Sequence, residues 1–262
     1  MKLGLCTTPD LVTKFPTPPC DFIEAHVQTF LLPEQPESAF AANAAAARTC
    51  PLPMPAANSL FPPDLKMTGP SVDTERLRRY TEAAVSRAAS IGLTTIVFGS
   101  GAARMVPEGW SLARGFEQYV EALNLMAPIA QRHGVTIVVE PLKRDESNIV
   151  NTIDEGAEAV QRSNHPNVRL LVDIFHMLRN GESPDAIMRH AALVTHSHIA
   201  ENKDRAEPGK YGDDFRPFLR ALRAATLCRR LTIECVWSQD DILRQAPAAL
   251  AVLRRQLADA GY

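Results

Sequence analysis

Short apolar, β-branched runs recur along this chain, and each is followed by turn residues and then by a helical pattern. Five are clear, at 94–99, 134–140, 168–173, 194–199 and 231–236. Three weaker candidates precede them at 3–7, 22–26 and 53–58, the last interrupted by prolines. Segments 36–49, 73–91, 115–133, 152–163, 184–190, 213–225 and 239–260 read as helices. Asp73, ahead of Thr74-Glu75-Arg76, supplies a short polar side chain to cap the first free backbone N–H groups. Strands alternating with helices at this spacing must run parallel, because each helix carries the chain back to the starting edge. Eight such units in 262 residues predict an α/β fold, a closed (β/α)8 barrel forming one domain over 1–262, in preference to a doubly wound open sheet.

With 45% hydrophobic and 22% charged residues, the chain has the material for one large core. Its 28 Lys and Arg against 30 Asp and Glu leave no basic field for a polyanion, so nucleic acid is not an expected partner. The five cysteines show no paired or zinc-like spacing and read as reduced thiols of a cytoplasmic protein. The start MKLGLCTTPD lacks a cationic region followed by a long apolar run, and no apolar run is long enough for a membrane span, so neither secretion nor membrane insertion is expected. The alanine-rich stretch 39–47 suits an outer helix. The proline-rich segment 51–70 reads as a long ordered loop that would overhang the mouth of a barrel.

Glu140, Asp173, His198 and Glu234 stand at or near the ends of the last four strands, separated by 33, 25 and 36 residues. One eighth of the chain is about 33 residues, so in a barrel all four would reach the same rim, where such folds place catalytic groups. An acidic residue after a strand can also be merely a cap for the next helix. Three carboxylates and an imidazole converging without a cation would repel one another, and a divalent ion resolves that conflict. Oxygen-rich ligation with one nitrogen favours Mn2+, while Mg2+, Co2+ and Zn2+ also fit such a set.

The chain resembles the sugar phosphate isomerase/epimerase family, the xylose-isomerase-like TIM barrels that include ketose 3-epimerases and hydroxypyruvate isomerases. The resemblance rests on Val97-Phe-Gly-Ser-Gly-Ala-Ala-Arg104 with Pro107, Glu140-Pro-Leu-Lys-Arg-Asp-Glu146, Asp173-Ile-Phe-His176, His196-Ser-His198 with Arg205, and Glu234 in Ile-Glu-Cys. It implies that Glu140, Asp173, His198 and Glu234 hold one divalent metal, and that Glu146, His176 and Arg205 contact the substrate. Lys143 stands where the epimerases usually have Asn. The implied substrate is a small sugar or keto-acid, with self-association into a homo-oligomer left open.

The expected chemistry is transfer of a proton next to a ketose carbonyl through an enediolate. Glu140 and Glu234 would divide the proton work for an epimerisation, and one carboxylate would suffice for an aldose–ketose isomerisation. His176, three residues after Asp173, can reach the substrate, with an ordinary histidine at a helix start as its alternative. His196 shares the strand face of His198 and reads as a packing or supporting residue. Glu24 alone on strand two is weak evidence for a site, Trp110 and Trp237 are candidate pocket walls, and Lys203 is a candidate anion contact. Gly99-Ser-Gly101 is more simply turn geometry than a phosphate cradle.

Three rival functions remain. An endonuclease IV-like phosphodiesterase would need extra histidines from early strands, and only His26 precedes residue 133. A metal-dependent lyase acting on 3-keto-glycosides would use the same ligands, and a non-catalytic sugar-binding barrel would have no need of them.

Overall fold

Strands form at all eight apolar runs: β1 (Lys2–Cys6), β2 (Phe22–His26), β3 (Ala56–Asn58), β4 (Thr95–Phe98), β5 (Thr136–Val139), β6 (Val168–Asp173), β7 (Val194–Ile199) and β8 (Arg230–Ile233). They pair in sequence order, all parallel, and β8 pairs with β1 to close the barrel. The computed structural model describes residues 1–262. The open-sheet alternative is thereby excluded. β3 is shorter than the apolar run because Pro53 and Pro55 have no N–H to give to a ladder. β5 and β8 both end before their glutamates, which leaves Glu140 and Glu234 just beyond the paired strand.

The expected helices appear as α2 (Glu37–Thr49), α3 (Thr74–Ser90), α5 (Leu112–Arg132), α6 (Ile153–Ser163), α8 (Asp185–Arg189), α9 (Arg216–Leu222) and α10 (Gln239–Asp259). Three short ones were not legible in the periodicity: α1 (Pro9–Val12), α4 (Gly101–Arg104) and α7 (Ile174–Asn180). Asp73 caps α3 by accepting from the N–H of Arg76 at 2.9 Å. A wide helical turn over Val27–Leu31 continues β2 at the barrel mouth.

The main apolar cluster, 70 buried residues, draws on strands and helices together. The barrel interior is partly polar: Arg230 of β8 reaches Thr95 of β4 at 2.9 Å. Between β6 and β7 the register shifts, with Leu170 opposite Val194 but Leu171 opposite His196. The extra residue, Thr195, resets the face that His196 and His198 present. After β3, Phe61 donates its N–H to Ser100 Oγ at 2.9 Å and packs edge-on against Phe98, which ties the proline-rich loop to the end of β4. No helix is long and apolar enough to cross a membrane.

Candidate functional site

The ends of β5, β6, β7 and β8 bring Glu140, Asp173, His198 and Glu234 together, each offering a ligand atom within 4.8 Å of the others. His198 Nδ1 lies 3.0 Å from Glu140 Oε1 and 3.3 Å from Glu234 Oε2. Asp173 divides its two oxygens. Oδ1 caps α7 by accepting from the N–H of Phe175 at 2.8 Å, whereas Oδ2 is buried and has no hydrogen-bond partner. The helix-cap reading therefore holds for one oxygen, and the other is left free to face the converging groups.

His176 sits in the first turn of α7, where it faces Asp173. Its Nδ1 accepts from the N–H of Lys143 at 3.1 Å, which leaves Nε2 to carry the proton, 3.4 Å from Asp173 Oδ2. Arg205 follows β7, with its Nη2 against Glu234 Oε2 and 3.5 Å from Asp173 Oδ2. Its Nη1 is 3.8 Å from Glu146 Oε1, and the guanidinium lies over the Phe175 ring at 4.8 Å. In this arrangement Arg205 balances the charge of the carboxylates. Lys143 is drawn to Glu146, 3.4 Å from its Oε1.

Three contributors were under-read in the sequence. Glu24, in the middle of β2, accepts from His198 Nε2 at 2.9 Å and from His196 Nε2 at 2.8 Å. Thr232 donates to the same carboxylate at 2.9 Å. The one charged residue in the otherwise apolar run Phe22-Ile-Glu-Ala was the available signal, since a buried carboxylate must find donors. Asn58, the last residue of β3, donates to Glu234 Oε1 at 2.7 Å. Gly99 matters for its lack of a side chain: a Cβ there would lie 2.2 Å from Glu140 Oε2.

Other candidates lie elsewhere. Trp110 donates to Gln118 and packs on the core, as Trp237 does, and neither lines a site cavity. Lys203 sits over the Tyr211 ring at 4.4 Å and lines neither site cavity. Gly99, Ser100 and Gly101 line a cavity of about 280 Å3 together with Glu140, Glu146, His176, Arg205 and Glu234. Ser59, Ser100 and Arg205 line it too, and all three hold positive φ, a conformation costly for non-glycine residues and common where function fixes the backbone.

Burial raises Asp173 to about 7, against the opposing pull of Arg205. Burial, and next the charge of Glu234, raises Glu140 above the usual carboxylate range. Burial would raise Glu234 as well, but Arg205 and His198 outweigh it and hold the group at about 2. Burial disfavours a charged His198, yet Glu24 and Glu234 outweigh that and lift it well above the ordinary imidazole value. His176 is depressed to about 2 by burial and then by Arg205, so it is a neutral imidazole. Glu140 and Glu234 thus have unequal environments, one favouring the acid and the other the base.

The donor chemistry fits a divalent ion. Three carboxylates and one imidazole converge, the Asp173 Oδ2 atom is buried without a partner, and no thiol belongs to the set. Glu24 holds the proton of His198 on Nε2, which turns the Nδ1 lone pair toward the carboxylates once that nitrogen is deprotonated. The other convergent group, Glu24, His196 and His198, is fully buried and already bonded to itself.

A family profile described as xylose isomerase-like TIM barrel matches residues 20–256. D-psicose 3-epimerase of Agrobacterium fabrum is 34% identical over 106 residues, 40% of this chain and 35% of that protein. A putative hydroxypyruvate isomerase of Danio rerio is 27% identical over 144 residues, 53% of this chain and 52% of that one. The matched stretches therefore span about a third to a half of these relatives. A crystal structure of D-psicose 3-epimerase in the presence of D-fructose superposes with a TM-score of 0.83 at 20% identity, covering 98% of this chain and 99% of the other, which is a likeness of fold.

Proposed function

The chain belongs to the xylose isomerase-like TIM barrel family, and from that premise we propose that it is an isomerase or epimerase that moves a proton beside the carbonyl of a ketose. It does so with one divalent ion, Mn2+ for preference, held by Glu140, Asp173, His198 and Glu234. The observation that carries this reading is the approach of Glu140 from β5 and Glu234 from β8 to the same atom, His198 Nδ1, at 3.0 and 3.3 Å. Two carboxylates in unequal environments flanking one reaction volume suit a proton taken on one side and returned on the other.

When bound, the ion supplies polarisation of the substrate carbonyl. One of Glu140 and Glu234, as the carboxylate, takes the proton from the carbon next to the carbonyl, and the C–H electrons pass toward the carbonyl oxygen to give the enediolate. The other delivers a proton to the opposite face for an epimerisation. For an aldose–ketose isomerisation one of the two carries the proton between neighbouring carbons. Glu146, His176 and Arg205 line the same 280 Å3 cavity and hold substrate oxygens, with His176 Nε2 as a neutral donor and Arg205 as a fork of donors.

The alternatives fit less well. A trinuclear phosphodiesterase needs further ligands, and the buried Glu24, His196 and His198 are engaged with one another. A small sugar in place of a polyanion accords with the net charge of −2. Five free cysteines accord with a cytoplasmic location. The reading is tested by incubating Mn2+-loaded protein in D2O with a panel of ketoses, aldoses, keto-acids and 3-keto-glycosides, followed by NMR. Deuterium at a carbon adjacent to a ketose carbonyl, with epimer or aldose formed, is expected. An unsaturated product with an expelled group would assign a lyase, and no exchange on any sugar would remove the reading.

A further inference from the structure

A second cavity opens on the other side of Glu234, and the chemistry above makes no use of it. It encloses about 670 Å3, against about 280 Å3 for the cavity that holds Glu140, Glu146, His176 and Arg205. The two meet at Glu234 and Ser59, and Asn58, bonded to Glu234 Oε1, stands in the wall of the larger one. A molecule whose reacting carbon lies beside Glu234 therefore has one end in the smaller space and the other directed into the larger. Pockets of about 300–1,000 Å3 take ligands well beyond one sugar ring in size. The larger cavity exceeds what the free end of a six-carbon sugar would fill.

Its lining suits neutral hydroxyl groups. Thr7, Thr8, Asn43 and Gln239 offer uncharged donors and acceptors, and His26, at the end of β2, keeps a buried Nδ1 without a partner. Pro9, Leu11 and Phe30 add apolar surface for the C–H face of a ring. Lys14 is the one lysine or arginine in the lining, and Asp10, Glu24 and Glu234 share that lining with it. A phosphate would find no pair of guanidinium donors there.

Resting on the reading of the site as a ketose isomerase or epimerase, we propose that this cavity is a subsite for a neutral sugar ring joined to the reacting keto sugar. The substrate class is then a glycosylated keto sugar in place of a free monosaccharide.

The test compares D-fructose with two glycosylated fructoses, isomaltulose and lactulose, using the metal-loaded full chain. Solvent deuterium exchange is read by NMR, and binding is read by calorimetry on the same samples. At least one disaccharide is expected to exceed fructose by about tenfold in both kcat/KM for exchange and affinity. Ala46 of α2 and Thr29 line the larger cavity, and a bulky ring at either position fills it. Ala46→Trp and Thr29→Trp should each cut the disaccharide-to-fructose ratio by about tenfold in both readouts. Exchange on fructose with neither disaccharide bound or turned over, or a preference that survives both tryptophans, would overturn the subsite and leave the isomerase reading standing. Neither exchange nor binding with any of the three sugars, while another substrate of the wider panel exchanges, would overturn the subsite alone; no exchange across that whole panel would overturn both.

Discussion

His198 Nε2 lies 2.9 Å from Glu24 Oε1, so a carboxylate outside the proposed ligand set fixes the ring that carries the one nitrogen of that set. The supporting carboxylate also holds His196 and Thr232. Glu24→Ala leaves these donors buried and unpaired, at a cost of about 1–3 kcal/mol for each. It should weaken metal binding by about 10–100-fold through the freed imidazole. Glu24→Gln keeps an acceptor for one ring and should lose less of both. Calorimetric metal titration and thermal unfolding measure the two effects, and Glu24→Ala with the parent's metal affinity would deny the orienting role.

Metal affinity should rise with pH. In the metal-free chain burial raises Asp173 to about 7, and although burial alone would lower His198, Glu24 and Glu234 outweigh it and raise His198 well above its ordinary value. A raised value means that the proton is held at neutral pH and competes with the ion. Affinity should therefore climb as pH passes upward through about 7, with protons released on binding. Titrations in buffers of different ionisation enthalpy count those protons, and a flat profile would contradict the assignment.

Gly99→Ala should damage the site while sparing the fold. Its Cβ would meet Glu140 Oε2 at 2.2 Å, and Glu140 must move to relieve the overlap. A stability loss of about 1–3 kcal/mol is expected for such overpacking. Proton exchange should fall far more than unfolding data alone would suggest, and a fully active variant would show that the position of Glu140 is not critical.

Arg205→Ala should lower kcat/KM while leaving metal content near one per chain, because Arg205 neutralises Glu234 and Asp173 without belonging to the ligand set. If the substrate carries phosphate, the loss should be larger for the phosphorylated sugar than for the free one. Metal analysis and steady-state kinetics read the two quantities separately, and unaltered kinetics on every active substrate would reduce Arg205 to a charge on a loop.

The barrel was legible because strand and helix periods alternate, and apolar runs such as 168–173 and 194–199 carry their own boundaries. The rim position of Glu140, Asp173, His198 and Glu234 followed from unit spacing. What spacing could not reveal depends on contacts across the barrel. Glu24 is 172 residues from His196 in sequence, and only the closed sheet makes them neighbours. The extra residue at Thr195 has no sequence signature, yet it resets the face on which the histidines project. His176 falls on a helix because Asp173 caps α7 two residues after its own position, a local event hidden by the short helix length. Trp110 and Trp237 packed on the core, since a large apolar ring gains more from burial there than at a wet rim.

The central claim is that Glu140 and Glu234 share the movement of one proton beside a metal-polarised carbonyl. Solvent deuterium exchange and epimer formation on a confirmed ketose substrate, measured alongside bound metal for the parent, Glu140→Gln and Glu234→Gln, test it most directly. The parent should exchange only with its ion bound, and each variant should lose at least about 100-fold in epimer formation while still holding metal, because an amide can neither take nor deliver the proton. Near-parental epimer formation in either variant, or exchange by the metal-free parent, would contradict the account.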